Sequence, residues 1–163
     1  MSLSPQVLAR ARELGEVLAA RGLVLATAES CTGGGVAMAV TEIAGSSAWF
    51  DRAFVTYSNA AKAEMLGVPE ALIAAHGAVS EAVVKAMAGG AVAASRADWV
   101  VAVSGVAGPG GGSPAKPVGT VWFAWMRRGA QARAACLHLA GDRSAVRTQA
   151  ITIALEGLIA EAR

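Results

Sequence analysis

Apolar residues recur at helical spacing near the start of the chain. Val7, Leu8, Ala11, Leu14, Val17 and Leu18 share one face, Ser4 stands where an N-cap belongs, and Gly22 ends the run. The spacing predicts a helix to about Ala20. Leu23–Ala28 then reads as a short buried strand that ends in Glu29-Ser30-Cys31-Thr32-Gly33-Gly34-Gly35. A small-residue helix over Val36–Ile43 and a strand over Trp49–Tyr57 follow. Asn59 is placed to cap a short helix through Leu66, and Pro69 opens another. Ser80 caps a helix over roughly Glu81–Ser95, whose Ala and Gly content demands a close packing partner.

Trp99–Ser104 is apolar on both faces, as a central strand would be. It leads into Gly105-Val106-Ala107-Gly108-Pro109-Gly110-Gly111-Gly112-Ser113-Pro114, a run unsuited to regular structure. Val118–Met126 and Gln131–Leu139 form a hairpin around Arg127-Arg128-Gly129-Ala130. Asp142 caps a last helix that buries Val146, Ala150, Ile153, Ala154 and Leu158. This order predicts a single α/β domain over residues 1–163, with helices on both faces of a mixed sheet.

Composition narrows the class. Hydrophobic residues make up 55% and charged residues 16%, which excludes disorder, and two cysteines, Cys31 and Cys136, are too few for a disulfide scaffold. No apolar run approaches the roughly 18–20 residues of a membrane span. The net charge is only +2, and no Lys/Arg run exceeds Arg127-Arg128, so neither nucleic acid nor membrane is an expected partner. The first residues carry no apolar signal core, and the expected compartment is the cytoplasm, with reduced thiols. Lysine and histidine are scarce: Lys62, Lys85 and Lys116, and His76 and His138.

These scarcities bear on the chemistry. The turn from Glu29 to Gly35 exposes a nucleophile, Ser30 or Cys31, beside backbone N–H groups that suit an anion. Equally, Thr32 caps a helix there and the glycines permit tight packing. The spacing matches neither a P-loop nor a nucleophile elbow of the G-x-S-x-G type. A cysteine nucleophile or a Ser-His-Asp set calls for a histidine base, and both histidines read as structural or solvent-facing. A serine can use lysine instead, provided the amine is neutral. Lys62 meets that demand, in a first helical turn among Ala60, Ala61, Met65 and Leu66, with Tyr57 near enough to orient it. An exposed lysine and a strand-end tyrosine are the plain alternative. Ser104 and the glycine loop occupy a strand's carboxyl end, where ligand sites form in open α/β sheets. Arg143 and Arg147, at i and i+4 on a first helical turn, suit a phosphate or simply a solvated face.

Taken together, several segments resemble the CinA C-terminal domain family, most closely its stand-alone form. They are Thr27-Ala28-Glu29-Ser30-Cys31-Thr32-Gly33-Gly34, Ala44-Gly45-Ser46-Ser47-Ala48-Trp49-Phe50 and Val55-Thr56-Tyr57-Ser58-Asn59-Ala60-Ala61-Lys62. His76-Gly77-Ala78-Val79-Ser80, Ser104-Gly105-Val106-Ala107-Gly108-Pro109, Lys116-Pro117-Val118-Gly119-Thr120-Val121 and Gly141-Asp142-Arg143 complete the set. Longer members carry a nucleotide-pyrophosphatase-like domain on the N-terminal side that has no counterpart in these residues.

The resemblance implies a three-layer α/β/α fold with a mixed sheet, a homodimer or higher homo-oligomer, and no cofactor or metal. It also implies hydrolysis of the carboxamide of nicotinamide mononucleotide (NMN) to nicotinate mononucleotide and ammonia, in pyridine nucleotide salvage. On these residues it makes Ser30 the nucleophile, Lys62 the base and Tyr57 their hydrogen-bonding partner. Cys31, Thr32 and Gly33 would supply the oxyanion turn, Gly45, Ser46 and Ser104 would line the substrate site, and Arg143, then Arg147, would take the phosphate. The alternative is a non-catalytic nucleotide-binding or protein-interaction module of the same type.

Overall fold

The computed structural model describes residues 2–163. Five strands alternate with six helices: α1 (Pro5–Arg21), β1 (Leu25–Glu29), α2 (Gly35–Thr41), β2 (Phe50–Val55), α3 (Asn59–Leu66), α4 (Glu70–His76), α5 (Glu81–Ala93), β3 (Trp99–Gly105), β4 (Thr120–Arg127), β5 (Arg133–His138) and α6 (Arg143–Ala162). The strands lie in the order β2-β1-β3-β4-β5. β1 runs parallel to both β2 and β3, while β4 is antiparallel to β3 and to β5, so the sheet is mixed as the sequence predicts.

Both faces of the sheet are covered, and the central strands β1 and β3 are buried at nearly every position. Trp99, Val101 and Val103 of β3 pack with Val121, Phe123 and Trp125 of β4 under α1, α2 and α6. The alternate residues Val100 and Ala102, with Ala26, Ala28 and Ala124, face Leu66, Ile73 and the apolar side of α5. This is the three-layer α/β/α arrangement. Among the described residues no helix is long and apolar enough to cross a membrane.

Element boundaries differ from the sequence reading where a side chain competes for a cap. Ser58, not Asn59, caps α3: its hydroxyl accepts from the Ala61 N–H at 3.0 Å, and Asn59 becomes the first helical residue. Ser4, Ser80 and Asp142 cap α1, α5 and α6 as expected. β1 starts two residues late because Gly22 turns the chain in a left-handed conformation and the Leu23 N–H folds back onto the Leu18 carbonyl.

The close partner that α5 requires is α3. A Cβ built on Gly90 would lie 1.9 Å from the Leu66 backbone oxygen, a clash no rotamer change relieves. At neighbouring Gly89 nothing lies within 4 Å. Gly90→Ala is therefore expected to destabilise by about 1–3 kcal/mol despite alanine's better helix propensity. Gly89→Ala should stabilise by about 0.5–1 kcal/mol. Urea unfolding of the two variants checks this contrast: a neutral or stabilising Gly90→Ala would contradict the packing.

Candidate active site

The carboxyl ends of β1 and β3 carry the site. The connection from β1 runs outward to β2, whereas β3, on the other side of β1, leads away to β4, and the sheet opens a crevice between strands whose connections diverge in this way. The Ser30 N–H extends β1 by one bond, to the Val103 carbonyl at 2.9 Å. The chain then turns sharply, with the Gly33 N–H on the Ser30 carbonyl and the Gly35 N–H on the Thr32 carbonyl, each at 3.0 Å. Gly33 and Gly34 sit at φ 58° and 91°, a region that favours glycine. Ser30 is thereby fixed between the end of β1 and the start of α2.

The clamp on this turn is Glu29, whose role sequence reading missed. Its wholly buried carboxylate accepts from the Thr27 and Thr32 hydroxyls at 3.1 and 2.7 Å, and from the Val36 and Ala37 N–H groups at 2.9 and 3.0 Å. Glu29, rather than Thr32, therefore satisfies the first N–H groups of α2, and Thr32 spends its hydroxyl on the carboxylate. An acidic residue closing a short buried strand was the available signal, since such a group must find donors.

Lys62 is 1% exposed, its side chain running back from α3 toward Ser30. Its Nζ lies 3.0 Å from Ser30 Oγ, 2.8 Å from the Thr56 carbonyl oxygen and 3.4 Å from that of Tyr57. Burial holds its pKa below the ordinary 10.5. A neutral amine has two N–H donors and one lone pair, which matches two carbonyls and one hydroxyl. Cys31, next in the chain, is pushed the other way: burial raises its thiol to about 11, so it stays protonated near neutral pH.

Ser30, Cys31, Tyr57, Lys62, Ser104 and Arg143 line one cleft of about 330 Å³. The opposite wall is Ala78–Val79 and the Val106–Gly111 stretch of the glycine loop, held in part by the Ser104 hydroxyl on the Ala78 carbonyl at 2.8 Å. Sequence reading quoted Ala78 and Val79 within a family segment but gave them no place in the site, since they offer the cleft no distinctive side chain. His76 and His138 are exposed and outside the cleft.

Other expected positions fall elsewhere. The Tyr57 side chain is 62% exposed, and its hydroxyl accepts from Arg143 Nη2 at 3.1 Å, so only its backbone carbonyl reaches Lys62. Gly45 and Ser46 precede β2 in a single 3-10 turn. Because β1 and β2 are parallel, pairing Leu25 with Phe50 and Glu29 with Val55, this turn lies at the opposite end of the sheet from Ser30. Thr32 and Gly33 belong to the turn but do not line the cleft, nor does Arg147. Arg147 instead donates to the Cys31 and Thr32 carbonyls, at 3.1 and 3.2 Å. Arg143 does reach the rim, donating to the Gly108 carbonyl at 2.8 Å.

Comparison with known proteins identifies the family. The model of the CinA C-terminal domain matches residues 8–162. Nicotinamide-nucleotide amidohydrolase PncC of Escherichia coli strain K12 is 56% identical over 158 residues, covering 97% of this chain and 92% of that protein. The protein of that name from Pseudomonas putida is 57% identical over 149 residues, covering 91% and 92%. Among solved structures, competence/damage inducible protein CihA from Agrobacterium tumefaciens superposes with a TM-score of 0.97 at 44% identity, over 100% of this chain and 99% of that one. The chain belongs to the CinA C-terminal domain family.

Proposed function

We propose that the protein is an amidase that hydrolyses the carboxamide of NMN to nicotinate mononucleotide and ammonia, working as one domain over residues 1–163. The observation that carries this reading is the buried Lys62 amine 3.0 Å from the Ser30 hydroxyl. The names of the two amidohydrolase relatives support the substrate.

In the proposed mechanism the Lys62 lone pair takes the Ser30 hydroxyl proton as Oγ bonds to the amide carbon and the carbonyl π pair moves onto oxygen. The Cys31 N–H is suited to hold that oxyanion: Cys31 lines the cleft, and among the described residues its N–H has no backbone acceptor. Collapse of the intermediate breaks the C–N bond, and the Lys62 ammonium returns its proton to the departing nitrogen, releasing ammonia. Water then attacks the acyl ester. Lys62 takes the water proton and hands it to Ser30 Oγ as nicotinate mononucleotide leaves. Arg143, exposed at the rim, is the cation for the substrate phosphate.

Ser30→Ala and Lys62→Arg are each expected to lower ammonia release from NMN by about 10³-fold or more, because arginine cannot give up its proton. Cys31→Ala deletes the thiol and leaves the backbone N–H; loss of activity in that variant alone would contradict a serine nucleophile. Binding of NMN to the folded wild type without ammonia release would instead favour a non-catalytic module.

The pH dependence follows from the direction of the Lys62 shift. Protonation removes the lone pair, so kcat should fall as pH drops through the Lys62 pKa and level off above it. That inflection should lie below 10.5. A rate that is flat across this range, or that falls as pH rises, would contradict a neutral lysine base.

A further inference from the structure

Arg143 and Arg147 sit one turn apart on α6, yet they face different surroundings. Arg143 reaches the rim of the cleft, whereas Arg147 lies half-buried behind the turn that follows Ser30. Its Nε donates to the Cys31 carbonyl at 3.1 Å and its Nη2 to the Thr32 carbonyl at 3.2 Å. The five N–H donors of a guanidinium sit on one rigid plane, which leaves little freedom once two of its three nitrogens are committed to adjacent peptides.

The bonds continue beyond the guanidinium. The peptide that carries the Thr32 carbonyl ends in the Gly33 N–H, which donates to the Ser30 carbonyl at 3.0 Å. That next peptide ends in the Cys31 N–H, which among the described residues meets no backbone acceptor and belongs to a cleft-lining residue. A carbonyl that accepts from a cation makes its own N–H a better donor, by roughly 10–30% per bond in a chain. The charge on Arg147 is thus relayed through two peptide units to an N–H beside the Ser30 hydroxyl. Glu29 secures the same turn from its other end, through the Thr32 hydroxyl and the first N–H groups of α2.

We propose that Arg147 is a positioning residue for acyl transfer: it locks the turn after Ser30 and polarises the Cys31 N–H toward the oxyanion, without touching substrate. This inference rests on the amidase reading. It separates Arg147 from Arg143, since a phosphate ligand acts on binding whereas a group that strengthens an oxyanion donor acts on the chemical step.

The test compares Arg147→Gln, Arg147→Lys and Arg143→Gln with NMN and with nicotinamide riboside, which lacks the phosphate. It also follows amide hydrogen exchange across residues 31–34. Arg147→Gln should lower kcat about 10-fold or more on both substrates, less than the ~10²–10³-fold of losing a donor outright. Its KM for NMN should stay within about twofold, and Arg147→Lys should recover part of the loss. Exchange at Gly33, whose N–H is bonded to the Ser30 carbonyl, should quicken about 10-fold as the turn loosens. Arg143→Gln should raise the KM for NMN alone. An Arg147→Gln effect confined to the KM of the phosphorylated substrate, or an unchanged kcat, would overturn the proposal. If wild type released no ammonia from NMN, the amidase reading would fail by itself. Exchange would then decide the role of Arg147 in the turn, and unchanged exchange would overturn it.

Discussion

A lysine amine that is 1% exposed has lost the water that stabilises its charge, and a protein interior restores that loss only with a counter-ion. Among the described residues Lys62 has none: its hydrogen-bond partners are the Thr56 and Tyr57 carbonyls and the Ser30 hydroxyl. The least costly state of such a group is the neutral amine, and a neutral amine with both N–H groups committed presents its lone pair to the third partner. The structure around the site follows from that constraint. Ser58 starts α3 at the point that sends the Lys62 side chain back toward β1, and the Ser30 turn must hold its hydroxyl within reach.

The rest of the site keeps that pair in place. β1 is buried along its whole length between β2 and β3, so its carboxyl end is a rigid platform. The turn beyond it is fastened through its N–H side by Glu29 and through its carbonyl side by Arg147. The glycine loop and Ala78–Val79 close the cleft opposite, and Arg143 links Tyr57 to Gly108 across its mouth. The pocket thereby sets a protonatable base deep inside and a permanent cation at the rim, an arrangement suited to a substrate with a neutral amide at one end and an anion at the other.

Much of this was legible in the residues. The unbroken apolar run at Trp99–Ser104 marked the central strand, and three of the four side-chain caps assigned from sequence stand where the pattern put them. Scarcity of histidine directed attention to Ser30 and Lys62, and the fold brings them into contact. What the sequence hid depends on tertiary geometry. A helical i, i+4 spacing puts Arg143 and Arg147 on one face but does not say that the turn after Ser30 lies under one and the cleft beside the other. Gly45-Ser46 lies close to the other motifs in chain order, yet the parallel pairing of β1 with β2 carries it to the far end of the sheet. The Tyr57 phenol points to the rim because its backbone carbonyl, rather than its hydroxyl, is turned toward Lys62.

The central claim is that Lys62 is a neutral base held against Ser30, and titration of its side-chain nitrogen tests it most directly. In protein carrying ¹⁵N-labelled lysine, the Lys62 signal can be assigned by its loss in Lys62→Arg and followed across pH by NMR. Deprotonation is expected below the ordinary 10.5. A Lys62 nitrogen that remains an ammonium to pH 10.5 or above would contradict it.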